Sequence, residues 1–244
     1  MQLGIGKTVF PAWAASVTLV KEHGTEAVQH ATAAIKAGDG ATRLDSAVRA
    51  MTSFDHAVDN TRKLPVSWFV KSAPLYYRGY EAAKQAVLLL VGSGLIPNAK
   101  QRVGRQTLLA ASDAFQAGVE IARSNSTRFG GRLAAGWLEA TAEDALTGVA
   151  MLQQGDLGRS LLAGIAQVRG AVERRRPLDE RLVTDVTKLF AAANGALLAS
   201  VDGDVAPVRG AVSGDAAFRQ AGVLLAQVEA AARQMVAEAP AVTA

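Results

Sequence analysis

The sequence predicts an all-α protein of eight or nine helices packed as an irregular bundle, with no substantial sheet. Half of its 244 residues are apolar but only 5% are aromatic, so alanine and leucine, two strong helix formers, supply most of the apolar side chains. Glycines and prolines interrupt the apolar stretches and mark helix ends. Long alternating runs of β-branched residues, which would indicate strands, are absent.

Three helices are predicted in the first quarter of the chain. Pro11 suits a first helical turn, Gly24 suits a helix end, and Thr25 suits the cap of a second helix. The third helix is predicted from apolar residues that recur at three- and four-residue steps between Leu44 and Val58, which place one apolar stripe on its surface. The three predicted ranges are 12–23, 26–37 and 41–60.

The middle and the end of the chain continue the helical pattern. Pro65 and Pro74 each suit a helix start, so a kink or break is predicted near Ser72 before a helix that ends near residue 91. The later helices are predicted at 98–123, 131–154, 156–176, 178–200 and from 213 or 215 to 238. The core residues predicted for 131–154 are Leu133, Trp137, Leu146, Val149 and Leu152.

We predict a single helical domain, 1–244, since no repeat of fixed period is evident. The polar turn at 124–130 offers an alternative division into 1–126 and 127–244.

One segment differs from the rest in charge and in aromatic content. Residues 64–97 contain five of the thirteen aromatic side chains. Residues 60–112 contain eight Lys or Arg against one carboxylate, a charge of +7, whereas the whole chain carries +4 and the remainder therefore −3. A basic region of this kind indicates an acidic partner or a solvated basic surface.

We predict that residues 62–105 form a contact surface. Tyr, Trp and Arg are enriched at protein interfaces, and the same residue types suit a lipid–water boundary or a groove that stacks the bases of single-stranded nucleic acid. The remaining alternative is that the rings belong only to the core. The predicted interface residues are Trp68, Phe69, Lys71, Tyr76, Tyr77, Arg78, Tyr80, Lys84, Lys100, Arg102 and Arg105.

Catalytic, cofactor and metal sites are not predicted. There is no cysteine, which excludes disulfides, thiolate catalysis and cysteine-bound metals. His23, His30 and His56 lack the spacing of metal ligands and are interpreted as surface or core histidines. Glu143 and Asp144 point about 100° apart as helix neighbours and do not form an acid–base pair by themselves.

Two further features of the sequence allow both a functional and a simpler interpretation. An enzyme would require the fold to bring His56, Asp55 or Asp59 near Arg62 or Tyr76 in a pocket. The run 174–176 could contact phosphate, but the solvated basic end of a helix is the interpretation preferred here.

The function predicted is that of a non-catalytic structural or scaffold subunit, bound to the other protein subunits of a large complex. The alternatives are binding to an anionic membrane or granule surface through amphipathic helices and, third, coating of nucleic acid. No apolar run approaches the ~20 residues of a spanning helix. We expect an intracellular location, cytoplasmic or associated with an organellar membrane.

Overall fold

The protein is described by a computed structural model over residues 13–124, 127–202 and 212–242, without the side chains of 67, 69, 71–73, 77, 202 and 212–214. These ranges contain eight helices and no strand, which confirms the predicted all-α class. The helices are α1 Ala14–Lys36, α2 Gly40–Arg62, α3 Val66–Gly92, α4 Ala99–Ser124, α5 Arg128–Val149, α6 Gly155–Glu173, α7 Glu180–Asp202 and α8 Val212–Glu238.

The helices pack in two groups that do not follow chain order. The last helix, α8, packs with α1, α2 and α3, and its Val228 and Met235 share a core with Phe54 of α2. The second group comprises α4 to α7, around Phe115 and Phe190. Both the single domain and its alternative division after residue 126 remain predictions, and this grouping differs from that division.

A small cluster of side chains joins the two groups of helices. Leu19 of α1 packs against Ala114 of α4 and against Leu133, Trp137 and Ala140 of α5. These contacts, together with those of α2 on α4, hold the groups side by side.

The break predicted at Gly24 and Thr25 is wrong, because α1 continues through both residues. A β-carbon on Gly24 would lie 2.7 Å from Cγ2 of Val236, so the glycine permits close approach of α8. The hydroxyl of Thr25 donates to the carbonyl of Lys21 one turn earlier, at 2.7 Å, and caps nothing. Packing against α8 thus keeps the helix continuous through a glycine that would otherwise favour a helix end.

The predicted break near Ser72 is also absent, since α3 runs without interruption from Val66 past Pro74. Pro65 is the N-cap residue immediately before the helix, so its missing N–H removes no hydrogen bond of the helix. Pro74 is exposed, so the carbonyl that loses its helical hydrogen bond lies on the side where water can replace it.

On α5, the prediction that Leu146 belongs to the core is wrong. Leu133 and Trp137 are buried, but 62% of Leu146 is exposed. Asp144, Ala145 and Gly148 face the neighbouring helices instead, which turns Leu146 outward. The helix begins after Thr127, whose hydroxyl accepts the N–H of Gly130 at 3.1 Å.

Candidate functional site

The start of α3 presents an apolar stripe to solvent. Val66 and Val70 are 75% and 62% exposed, and Pro74, which follows Val70 by one turn, is also exposed. Residues four apart lie on the same side of a helix, so these three side chains form one continuous ridge. We call Val66, Val70 and Pro74 the α3 ridge. Exposed apolar side chains scattered singly are ordinary, but a contiguous row indicates a contact surface.

A groove of about 480 Å³ lies beside the α3 ridge. Its lining comes from α1, the end of α2, the first half of α3, the end of α8 and the residues next to these helix ends. Arg78 and Glu238, both exposed, bring one charge of each sign to its lining. The apolar lining residues are Val20, Leu64, Trp68, Pro74, Leu75, Met235, Ala239 and Pro240.

The predicted aromatic residues lie at the margin of the core. Trp68, Tyr76 and Tyr80 are half-buried, and the rings of Tyr76 and Tyr80 stack with centroids 5.4 Å apart. The guanidinium of Arg62 lies 5.2 Å from the centre of the Tyr76 ring. The side chains of Phe69, Lys71 and Tyr77 lie outside the described residues. These rings therefore pack on the core and also keep an exposed edge.

The predicted cations divide between two helices. Arg78 and Lys84 on α3 and Lys100 on α4 are exposed. Arg102, in contrast, reaches α2, where its guanidinium donates to Asp45 at 3.3 Å. Arg105 is half-buried, and its charge adds to that of Arg102 in counteracting the rise that burial causes in the pKa of Asp45.

A buried polar cluster lies where α1, α2 and α5 meet. Nε2 of His56 lies 3.0 Å from Oδ2 of Asp144, and Nδ1 of His56 lies 3.6 Å from Oε2 of Glu143. The rings of His23 and Trp137 complete the cluster, with the His23 centroid 5.3 Å from that of His56 and 4.4 Å from that of Trp137. His23, His56 and Asp144 are all buried. We call these five residues the junction cluster.

The two histidines of the junction cluster carry different charges. Burial alone would lower the pKa of His56, but the charge and hydrogen bond of Asp144 and the charges of Glu143 and Asp55 raise it to about 9. Burial lowers the pKa of His23, which is therefore neutral. Its Nδ1 donates to Glu26 at 3.1 Å, since a carboxylate can only accept.

The pKa values of the acidic side chains near His56 are raised. Burial and then the charge of Asp59 raise the pKa of Asp55 to about 6. Burial also raises the pKa of Glu143, although His56 counteracts it. Tyr80, on α3, has its pKa raised to about 12 by burial and by Asp55. The charge of Asp55 thus contributes to the raised pKa values of both His56 and Tyr80.

A cleft of about 230 Å³ opens onto the junction cluster. It is lined by His56, Asp59 and Arg62, so the fold does bring together residues that the enzyme alternative required. Both ring nitrogens of His56 face carboxylates, and a protonated imidazole held in this way has no lone pair with which to accept a proton. Arg62 and Asp59 bond each other at 2.5 Å. This chemistry favours a structural ion pair over a general base.

The junction cluster is the feature that reasoning from the sequence missed. A signal for it exists, because Asp144 follows Trp137 by seven residues and thus falls on the buried face of α5. A carboxylate on an apolar stripe requires a partner. Glu143 and Asp144 do not pair with each other, but both carboxylates lie next to the imidazole of His56 on α2.

The described residues contain no group of three or more His, Asp or Glu side chains placed to hold a metal ion. Contrary to the expectation from the sequence, one stretch, Glu180–Val201 in α7, is long and apolar enough by composition to cross a membrane, and 28% of its apolar window is buried. Core helices of soluble proteins also pass this test of length and composition.

No protein-family model matches the sequence, and neither a curated protein nor a solved structure matches it.

Proposed function

We propose that this chain is a non-catalytic subunit of a larger protein assembly and that it docks on a partner protein through the α3 ridge and the neighbouring groove. The observation that carries the proposal is the exposure of Val66 and Val70, one helical turn apart, on a helix whose other side is buried. Removing such a ridge from water is favourable at roughly 25 cal/mol per Å² of apolar surface.

The groove favours a protein over an anionic membrane as the partner. Its lining includes a positive group, Arg78, and a negative group, Glu238, whose carboxylate accepts a hydrogen bond from Gln234 at 2.8 Å. A protein surface can complement both signs, whereas an anionic membrane would repel Glu238. Trp68 and Met235 add a large ring and a flexible side chain, both suited to protein contacts.

The junction cluster supports a non-catalytic role. His56 is protonated near neutral pH and is held by Asp144 and Glu143. Its arrangement joins α2 to α5, and through His23 it also contacts α1. A cluster of this kind supports the rigidity of a scaffold.

The test is a comparison of two exposed valines in the full chain. Val70→Glu places a charge in the proposed interface, and Val223→Glu places the same charge on α8, where Val223 is 61% exposed. Neither change should unfold the chain, because surface substitutions usually alter stability by about 0.5 kcal/mol or less. Each tagged variant is purified from source cells, and its particle mass is measured by multi-angle light scattering.

We expect the unaltered chain and Val223→Glu to elute in a large particle and Val70→Glu to elute as a smaller one, with at least about tenfold weaker association. A monodisperse monomer for the unaltered chain, or equal behaviour of the two variants, would contradict the proposal.

Peripheral membrane binding is the second candidate, and the specific observation in its favour is Trp68 beside the exposed Val66 and Val70. Flotation with phosphatidylserine vesicles separates the two candidates. Binding that disappears at high salt and in Val70→Glu would favour the membrane.

A further inference from the structure

The end of α6 adopts a conformation that normally calls for glycine. The N–H of Arg176 donates to the carbonyl of Ala171 at 2.9 Å, and that of Arg175 donates to Val172 at 3.0 Å. This pattern of two hydrogen bonds closes a helix with one residue in the left-handed region, which is usually glycine. Here the residue is Arg175, with φ of 52°.

The arginine at this position requires an explanation, because a side chain disfavours left-handed backbone. The chain uses 23 glycines elsewhere, so glycine is freely employed where the backbone needs it. A positive charge does complement the dipole at the end of a helix, but Arg174, one residue earlier, already supplies it. Residues kept in disfavoured conformations concentrate at functional sites.

Arg175 and Arg176 line a pocket of about 320 Å³ between the end of α4, the start of α5 and the α6–α7 connection. Val172, Pro177 and Leu178 form part of its apolar wall. This size is at the lower end of the range for small-molecule sites.

The charge of the pocket is only partly neutralised. Arg123 also lines it, and its guanidinium donates through two nitrogens to Glu180, with Nε 3.1 Å from Oε1. Arg175 and Arg176 form no ion pair with any residue that the structure describes. Arg175 and Arg176, both exposed, therefore border a partly apolar pocket whose one carboxylate, that of Glu180, is already paired with Arg123.

We infer that this pocket binds a small phosphorylated molecule, whose phosphate oxygens accept hydrogen bonds from Arg175 and Arg176. The planar guanidinium offers paired donors that match phosphate oxygens. The wall of Val172, Pro177 and Leu178 contacts the uncharged part of the ligand. None of the described lining residues is aromatic, so the pocket lacks the stacking surface expected of a site for single-stranded nucleic acid.

The inference is tested by isothermal titration of inorganic pyrophosphate into the full chain at low salt. Arg175→Gly should weaken binding by about tenfold or more, because it removes charged hydrogen bonds. The same substitution should raise the melting temperature, because glycine adopts left-handed backbone without strain. Weaker binding by a more stable protein cannot be attributed to unfolding.

Two further variants sharpen the result. Arg175→Lys keeps the charge but loses the paired donors, and we expect binding between that of the unaltered chain and that of Arg175→Gly. Arg159→Gln removes an exposed arginine that is paired with Asp156 near the start of α6, and it should leave pyrophosphate binding unchanged.

Three outcomes would overturn the inference: absence of binding heat in the unaltered chain, equal weakening by Arg159→Gln, or displacement of pyrophosphate by a single-stranded oligonucleotide at lower concentration. The last would assign this basic end of the molecule to nucleic acid.

Discussion

At the scale of single residues, His56 is a buried histidine surrounded by carboxylates. Its imidazole is enclosed by Asp144 and Glu143 of α5 and by Asp55 of its own helix, while neutral His23 approaches from α1. Removing one member of a buried pair leaves the other charge without compensation, which makes such pairs intolerant of single substitutions. The junction cluster therefore constrains how α2 and α5 can meet.

The pKa of His56 predicts how stability depends on pH. The pKa rises from 6.5 in the unfolded chain to about 9 in the folded one, so the stabilisation is fully present below 6.5 and is lost as pH rises through about 9. The free energy of unfolding should fall by roughly 2 kcal/mol between about pH 7 and pH 9, measured by urea denaturation.

Other shifted groups in the junction cluster and around it change protonation outside that interval. Asp55, with its pKa raised to about 6, is already largely ionised at the lower end of this pH interval, about pH 7. Tyr80, with its pKa raised to about 12, stays protonated throughout the interval. The lowered pKa values of His23 and His30 cost stability only below 6.5. His56→Gln should remove the dependence, and an unchanged slope in that variant would show that another group is responsible.

At the scale of helices, glycines determine how closely α3 approaches α2. A β-carbon on Gly79 would lie 2.1 Å from Cζ of Phe54, a ring with no exposed surface. The ring cannot move aside easily, because its neighbours in the core are close-packed. The position of α3, and with it the outward direction of the α3 ridge, depends on this contact.

Gly79→Ala should therefore lower the free energy of unfolding by about 1–3 kcal/mol through overpacking, as measured by circular dichroism in urea. Gly92→Ala is the matched control, since nothing lies within 4 Å of the position of its added β-carbon at the end of the same helix. Alanine favours helix, so this control should be neutral or slightly stabilising. Equal losses in both variants would refute the packing explanation.

At the scale of the whole molecule, two groups of helices are joined by few contacts. Leu19 inserts between α4 and α5 and is only 2% exposed. Inside the second group, Leu161 is equally enclosed but lies away from the connection, among residues of α4 to α7. The two side chains are chemically identical and both buried, but only Leu19 lies between the two groups of helices.

Leu19→Ala should cost about 2–5 kcal/mol and should also uncouple the two groups, so that calorimetry shows two transitions. Leu161→Ala should cost a similar amount but retain a single transition. One transition in Leu19→Ala would mean that the contacts of α2 on α4 suffice to unite the groups.

The docking proposal belongs to the same scale. The α3 ridge is proposed as a docking surface because it borders the groove, which α1, α2, α3 and α8 line together. The sequence predicts the interface as a basic aromatic segment. It does not reveal which of the predicted cations are exposed and which pair with another helix. Arg102 and Asp45 are 57 residues apart, and their pairing removes one predicted cation from the free surface.

The sequence by itself determined the helical class and the approximate limits of most helices. These properties follow from alanine content, apolar spacing and prolines near helix starts, all of which act within a few residues of chain. The two wrong breaks, at Gly24 and near Ser72, fall where packing or exposure makes a helix-breaking residue tolerable.

Only the tertiary structure decided which faces meet. The contact of His56 with Asp144 spans 88 residues, and the exposure of Val66 and Val70 depends on where α8 and α2 stop covering α3. Periodicity tells which side of a helix is apolar, but not which helix it will touch. Buried ion pairs and exposed ridges depend on which helices contact each other.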